Sequence, residues 1–426
     1  LTIAQWREAV ASKAGQTMLT QRYGGGKETL AGQTTRYLDL LTEFEKRFGT
    51  QDVRLFSACG RTEISGNHTD HNHGLVLAAA VDSDMVAVVA PRRDHRVNVF
   101  SVGYPRPFVL DLHALTPNSG EKNSSSALIR GMVSGLNGLG YRFSGFDACL
   151  HSNVLRGSGL SSSAAFEILI SVIIEKLFNE KPLDGIVRAK IAQAAENKFF
   201  GKPCGLMDQM ASSLGAMISI DFADIEKPKV ERMTYDFDKE GYALAVVNTG
   251  DSHAGLTSAY AAVRNEMNAV AKCFRKSVLR DVPPELFYAN LAPVRKKTSD
   301  RSVLRAMHFY EENNRVMRQT QALKTGNTAA FLEDVIASGR SSFQYLQNVY
   351  VGEQQGLSLA LAMSERLLAD NGAWRVHGGG FAGTILAFVP KEKLPSYAEE
   401  MNRVFGENAC LPLSIAQNSG VELVVG

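Results

Sequence analysis

The stretch RGSGLSSSAAFEILISVIIEKLF, residues 156–178, constrains the fold more than any other. It opens on glycines and serines, then switches abruptly to helical spacing, with Ala165, Ile168, Leu169, Val172 and Ile173 sharing a face. A helix this apolar has to lie inside the protein. Glycine lets backbone approach a ligand closely. The serines fall where the first N–H groups of a helix point outward, unpaired, at the positive end of its dipole. Together Gly157, Ser158, Gly159, Leu160, Ser161, Ser162 and Ser163 make an anion site suited to phosphates, and a serine hydroxyl there can also hold Mg²⁺. No Gly-Lys-Ser/Thr follows, so this is not a Walker A loop. A plain Gly-Ser loop with a serine N-cap is the competing structural account.

The 426 residues suffice for two or three domains of ordinary size. At 45% hydrophobic and 21% charged the chain is of ordinary globular composition, and a net charge of +2 gives no reason to expect nucleic acid or a membrane as partner. No apolar run approaches the ~18–20 residues of a spanning helix. The N-terminal LTIAQWREAVASKAG is amphipathic and has no signal-peptide core. Cys59, Cys149, Cys204, Cys273 and Cys410 are scattered, with no C-x-x-C pair, which argues against a disulfide framework and a zinc site. A reducing, cytoplasmic setting is expected.

Strand-like VRLFSA (53–58), MVAVVA (85–90), RVNVFSV (96–102), FDACLHS (146–152) and GAMISIDF (215–222) dominate the first half, with 85–90 and 96–102 expected as a hairpin or neighbouring strands. Helices are expected over roughly 187–200 and after Pro203, beginning with GLMDQMASS. In the second half ALAVVN (243–248) and TILAFVP (384–390) read as strands, between helices near 253–275, 301–324, 328–338, 354–371 and 393–405. This order points to an α+β protein of two lobes with the ligand in the cleft between them. The expected division is a helical extension over 1–47, an N-terminal lobe over 48–225 carrying the phosphate loop, and a C-terminal lobe over 226–426.

Three further stretches carry chemistry. In AAENKFFGKPCGLMDQ (194–209), Asp208 lies in the first turns of a helix, where an acid is either a dipole partner or a general base beside the phosphate loop. Glu196 could complete a Mg²⁺ site with a loop serine, because Mg²⁺ takes oxygen ligands and keeps waters and substrate phosphates. HGGGFAGTILAFVP (377–390) contains G-x-G-x-x-G, but a strand follows it where a dinucleotide fingerprint needs a helix. GRTEISGNHTDHNHG (60–74) concentrates three histidines and an aspartate. In an extended chain His68 and Asp70 would point one way and His71 and His73 the other, which disfavours chelation. A polar surface turn is the plain alternative.

Taken in order, these pieces resemble the GHMP sugar kinases and, within them, the galactokinases. The first galactokinase signature runs approximately G-R-V-N-L-I-G-E-H-T-D-Y-N-G-G, and GRTEISGNHTDHNHG is similar to it. GSGLSSSAA, ENKFFGKPCGLMDQ and GGGFAG match three further motifs, and the set spans residues 60 to 383. The resemblance implies a two-lobed GHMP-kinase fold and an ATP-dependent sugar 1-kinase acting on galactose or a close analogue, with Mg²⁺. It implies that Asp208 is the catalytic carboxylate facing the anomeric hydroxyl and that Arg61 pairs with it. It implies sugar contacts at position 67, His68, Asp70 and the backbone of Gly205, phosphate contacts over 157–163, and Mg²⁺ ligands at Ser163, or Ser162, and Glu196. Tyr260 matches a tyrosine that lines the sugar site, and is equally a core aromatic on an amphipathic helix. The partner implied is a small-molecule sugar, for a monomer or weak homo-oligomer. A non-catalytic sugar and ATP sensor on the same fold is the alternative; such sensors lose serine-loop residues, and GLSSSAA is complete here. The chain departs from the pattern at Asn67, where the family glutamate holds a distal sugar hydroxyl, at His71 and His73, and at Ser125 and Leu128, where the family has aromatics beside the nucleotide base.

Overall fold

A computed structural model describes residues 1–24, 26–154, 159–251 and 255–425. Its large sheet begins with β1 (Arg54–Ser65), β2 (Leu75–Pro91), β3 (Arg96–Ser101), β4 (Phe108–Asp111) and β5 (Phe146–Ser152). The sheet is completed by β6 (Met217–Asp221), β7 (Lys229–Met233) and, from the far end of the chain, β12 (Val421–Leu423). The strand order is β12-β1-β2-β5-β3-β4, with β6 paired to the free half of β2 and β7 to β6. A second sheet takes β8 (Tyr242–Asn248), β9 (Ala373–Val376), β10 (Thr384–Pro390) and β11 (Cys410–Leu413) in the order β11-β8-β10-β9. The mixture of sheets and helices is α+β, as expected.

Side-chain alternation on the large sheet explains its two covers. Phe56, Ala58, Ala87, Val89, Ala148 and Leu150 face one way, into a core shared with α4 (Ser125–Gly138) and α5 (Ser162–Phe178). Leu55, Val86, Val88 and Cys149 face the other way, against α1 (Ile3–Ala11), α2 (Lys13–Tyr23) and α3 (Lys27–Phe48). The helix α5 is buried along nearly its whole length, as its sequence requires. Next come α6 (Gly185–Ala194), a π-turn over Ala195–Phe200, and α7 (Met207–Leu214). In the second half, α8 (Thr257–Cys273), α9 (Pro284–Ala289), α10 (Leu291–Lys297), α11 (Asp300–Thr325), α12 (Thr328–Ser341), α13 (Gly356–Leu368) and α14 (Leu394–Phe405) surround the small sheet. One core joins the halves: Ile64, Leu77 and Val81 of the large sheet pack with Val246, Leu386 and Phe388 of the small one and with Val316 and Val335 of α11 and α12.

Several local expectations need correction. The strands β2 and β3 are neither a hairpin nor neighbours, because β5 lies between them, antiparallel to β2 and parallel to β3. Apolar composition marks both as strands but carries no information on which partner each takes. The helix expected after Pro203, with GLMDQMASS, is α7, which starts at Met207. The helix over 187–200 is α6 plus the π-turn. The helix α4 and the strand β9 had no expectation at all. Leu128, on α4, is 4% exposed and packs into the core, while Ser125 opens that helix. All five cysteines are free, and no helix among the described residues is long and apolar enough to cross a membrane.

A buried charge cluster pins the N-terminal helices to the sheet. Asp84 of β2 is fully buried and accepts from Arg36 Nη1 at 2.7 Å, from Tyr23 Oη at 2.7 Å, and from the Ser57 hydroxyl, with Arg22 Nε 3.6 Å away. Burial pushes its carboxyl up, but Arg36 and Arg22 outweigh that and hold it below the usual carboxylate range. Replacing Asp84 by Ala strands two guanidinium groups under the sheet. We expect Asp84→Ala to cost about 3–5 kcal/mol of unfolding free energy in urea denaturation; a loss under about 1 kcal/mol would mean the cluster is solvated.

Candidate active site

Arg61 sits where β1 changes register, with bulges between Cys59 and Arg61 and between Glu63 and Ser65. Bulges re-aim side chains, and this one turns Arg61 toward α7. Its Nε and Nη2 meet Asp208 Oδ1 and Oδ2 at 2.6 and 2.7 Å, a bidentate pair. Its Nη1 donates to the carbonyl of Gly159, and its backbone N–H donates to the carbonyl of Leu160 at 2.9 Å. One arginine therefore ties the strand, the serine loop and the start of α7 together. Arg61 is 6% exposed. Burial pushes Asp208 up, yet Arg61 and the Ser161 hydroxyl hold it below the usual carboxylate range, so it is ionised.

Ser161 precedes α5 in a left-handed conformation and makes no capping bond, its hydroxyl donating instead to Asp208 Oδ2 at 2.8 Å. The N-cap account of this serine is thereby excluded, and the first N–H groups of α5 are left without a side-chain cap. Ser163 Oγ donates to Glu196 Oε1 at 3.2 Å, so the two suggested Mg²⁺ ligands are neighbours. Glu196 lies in the π-turn, 2% exposed, and also accepts from Lys202 Nζ at 3.2 Å and Gln209 Nε2 at 2.8 Å. Gly157 and Ser158 lie outside the described residues.

Asp70 stands on a single 3₁₀ turn, Asp70–Asn72, so the loop is not extended and the facing expected from an extended chain does not apply. Its Oδ1 accepts from the His71 N–H at 2.8 Å. A β-carbon on Gly205 would lie 1.6 Å from Asp70 Oδ2, so only glycine lets the two elements meet. Burial pushes Asp70 up to about 6, and the nearby charges of Asp208 and Glu63 act in the same direction. The opposite wall is the turn between β9 and β10, which pair as an antiparallel hairpin, Ile385 opposite Val376. A hairpin excludes the dinucleotide reading of its glycines. Tyr260 donates from its hydroxyl to the Gly380 carbonyl at 2.7 Å and packs edge-on against Phe381, and a β-carbon on Gly379 would lie 2.6 Å from its ring. Asn67 is completely buried and bonds the Gly378 carbonyl, while His68 contacts the Gly379 carbonyl at 2.9 Å.

The structure adds residues for which the sequence suggested no role. Glu63 is paired with Arg375 at 2.7 Å, and Glu312 of α11 accepts from the Ser65 hydroxyl at 3.2 Å, the Gly66 N–H at 3.0 Å and the Ser338 hydroxyl at 2.6 Å. His377, 1% exposed, meets Thr62 Oγ1 and Thr384 Oγ1, each at 3.0 Å. Glu63 alone left a sequence signal: it occupies the position where the quoted signature has asparagine.

Comparison with known proteins follows from this geometry. A family model described as the galactokinase galactose-binding signature matches residues 42–91, and one described as the GHMP kinases N terminal domain matches residues 124–216. A galactokinase of Glaesserella parasuis serovar 5 (strain SH0165) is 32% identical over 373 residues, 86% of this chain and 92% of that protein. The structure of Lactococcus lactis galactokinase complexed with galactose matches with a TM-score of 0.78 at 26% identity, covering 90% of this chain and 99% of that one. The mevalonate kinase of Methanococcus jannaschii, at 15% identity and a TM-score of 0.62 over 85% of this chain and 98% of that one, shares the fold.

Two outcomes follow for Asp70. Its carboxyl is raised in the folded state, so its stabilising contribution is complete below about pH 4 and is lost as pH rises through about 6. Asp70→Asn should therefore raise Tm at pH 7.5, by the equivalent of about 3 kcal/mol at most, with the gain fading toward pH 4. Unchanged Tm at both pH values would show that burial and the charges of Asp208 and Glu63 do not raise the Asp70 carboxyl. Gly205→Ala should push the Asp70 carboxylate aside, weakening ligand binding at the site by about tenfold or more in calorimetry; unaltered binding would place the ligand elsewhere.

Proposed function

The chain belongs to the galactokinase family, and we propose that it transfers the γ-phosphate of ATP to the anomeric hydroxyl of galactose or a close analogue by direct in-line displacement. The observation that carries this is the bidentate Arg61–Asp208 pair set beside the uncapped start of α5. Phosphoryl transfer needs positioning and charge neutralisation more than covalent help. A helix N-terminus faces the phosphates, and a fixed carboxylate faces the acceptor hydroxyl.

Asp208 is held low by Arg61, so it is a weak base. Its part is to accept a hydrogen bond from the anomeric hydroxyl and aim that oxygen at the phosphorus, taking the proton as the new O–P bond forms. Arg61 keeps the carboxylate oriented and offsets the charge that gathers around it. Asp70 can accept from two adjacent ring hydroxyls once ionised. Gly205 admits it, and Tyr260 buttresses the glycine turn opposite.

Ser163 and Glu196 fit Mg²⁺, being adjacent hard oxygen donors too few to enclose the ion, which keeps waters and phosphate oxygens as its other ligands. Bound there, the ion would supply charge neutralisation between the phosphates. Lys202, already at Glu196, adds positive charge on the same side. No observation favours a sugar sensor: the described serines, Asp208 and Arg61 are all in place.

The test is ADP release across a panel of hexoses, with sugar binding followed separately by calorimetry. Galactose or an analogue with a free anomeric hydroxyl should turn over. Asp208→Asn should lower kcat by about a thousandfold or more while sugar still binds. Glu196→Gln should raise the Mg²⁺ concentration needed for half-maximal rate. Binding without turnover by the unaltered protein would sink the kinase reading.

A further inference from the structure

His377 is a buried titratable residue that the chemistry above does not use. It follows β9 directly and is 1% exposed. Its Nε2 accepts from the Glu63 backbone N–H at 3.2 Å, a group that can only donate. The neutral ring therefore carries its proton on Nδ1 and donates it to Thr384 Oγ1 at 3.0 Å. The Thr62 hydroxyl, 3.0 Å from Nε2, is then a second donor to that nitrogen. The His377 backbone N–H also donates to the Thr384 carbonyl, at 3.0 Å. One imidazole thus joins β1 of the large sheet to β10 of the small one. Burial, with Arg61 and Arg375 nearby, pushes His377 well below the ordinary histidine value, so the ring stays neutral.

This seam lies against the serine loop. Gly159 has a φ of +72°, and a β-carbon on it would lie 2.3 Å from Thr384 Oγ1 and 2.6 Å from His377 Nδ1. The loop backbone therefore rests on the hydrogen-bonded pair with no room between them. On its other side the loop is held by Arg61, whose Nη1 donates to the Gly159 carbonyl and whose backbone N–H donates to the Leu160 carbonyl at 2.9 Å. Gly159 and Leu160 are clamped between β1 and the His377–Thr384 pair. A change in that pair shifts the carbonyl on which Arg61 is fixed.

We propose that His377 is a positioning residue, which acts through Thr384 and Gly159 to fix the orientation of Arg61 and with it the aim of the Asp208 carboxylate. This rests on the kinase reading above and deepens it. Without the imidazole, the Glu63 N–H loses its acceptor in a seam closed to water, and the two hydroxyls lose the group that orders them. Misplacing a reacting group by about 1 Å costs about a hundredfold in rate.

The test compares His377→Leu, which fills the space without hydrogen bonds, with His377→Gln, whose amide again offers an acceptor and a donor. In His377→Leu, kcat by ADP release should fall about tenfold or more, while sugar affinity by calorimetry stays within about threefold. His377→Gln should recover kcat to within about threefold of the unaltered protein. Thr384→Val should slow the reaction too, and the double variant His377→Leu/Thr384→Val should be no slower than His377→Leu alone, because the two side chains act as one unit. An unchanged kcat in folded His377→Leu would overturn the proposal. Equal rates for the Leu and Gln variants, or an affinity loss as large as the rate loss, would overturn it as well. If His377→Leu does not fold, His377→Gln and Thr384→Val carry the comparison: near-normal kcat in the first and a lowered kcat in the second support the proposal, and any other pattern overturns it. If the unaltered protein turns over no sugar, the kinase reading falls, and the Arg61 Nε–H resonance in NMR decides this proposal instead. A shift in His377→Leu that His377→Gln reverses would support it, and one resonance position in all three proteins would overturn it.

Discussion

The contact between Arg61 and Asp208 organises the rest of the site. Its partners are 147 residues apart in the chain, and its guanidinium is almost wholly out of water. A buried arginine has to spend its donors on protein acceptors, and this one spends them on a carboxylate at the start of α7 and a carbonyl at the start of α5. Strand, loop and helix are therefore held by one group, and a carboxylate and a helix N-terminus face the same space.

The site also stores unfavourable electrostatics. Burial, reinforced by the nearby charges of Asp208 and Glu63, pushes the Asp70 carboxyl up to about 6. The surrounding structure compensates with buried pairs of good geometry, Glu63 with Arg375 and Glu312 with Arg315, the latter at 2.6 Å. Such pairs contribute little net stability when intact and cost a great deal when broken. Their value here is positional, because they hold the loop over residues 63–67 and the glycine turn over 378–380 in one register.

Much of this was legible in the residues. The helix α5 was legible as a buried helix, and the structure sets Ser163 beside Glu196 and Arg61 beside Asp208. Misreadings occurred where long-range pairing decides. The strand β5 inserts between β2 and β3, and nothing in the local pattern of either strand says so. A serine N-cap was the competing account of this loop, and Ser161 spends its hydroxyl on Asp208 instead. Asn67 and His68 bond Gly378, Gly379 and Asn348, partners some hundreds of residues away that the local sequence does not name.

The sequence by itself determined which groups are available: a serine-rich helix start, an arginine and an aspartate that pair, and oxygen-bearing side chains beside them. Residue type and periodicity suffice for that, because propensity, dipole and charge act locally. Only the tertiary structure decided which polar groups remain open to a ligand. Hydrogen-bonding capacity is finite, and whether Asn67 keeps any for a sugar depends on what the rest of the chain folds against it. The stretch GRTEISGNHTDHNHG lists its donors and acceptors in order; the fold decides which of them are already taken.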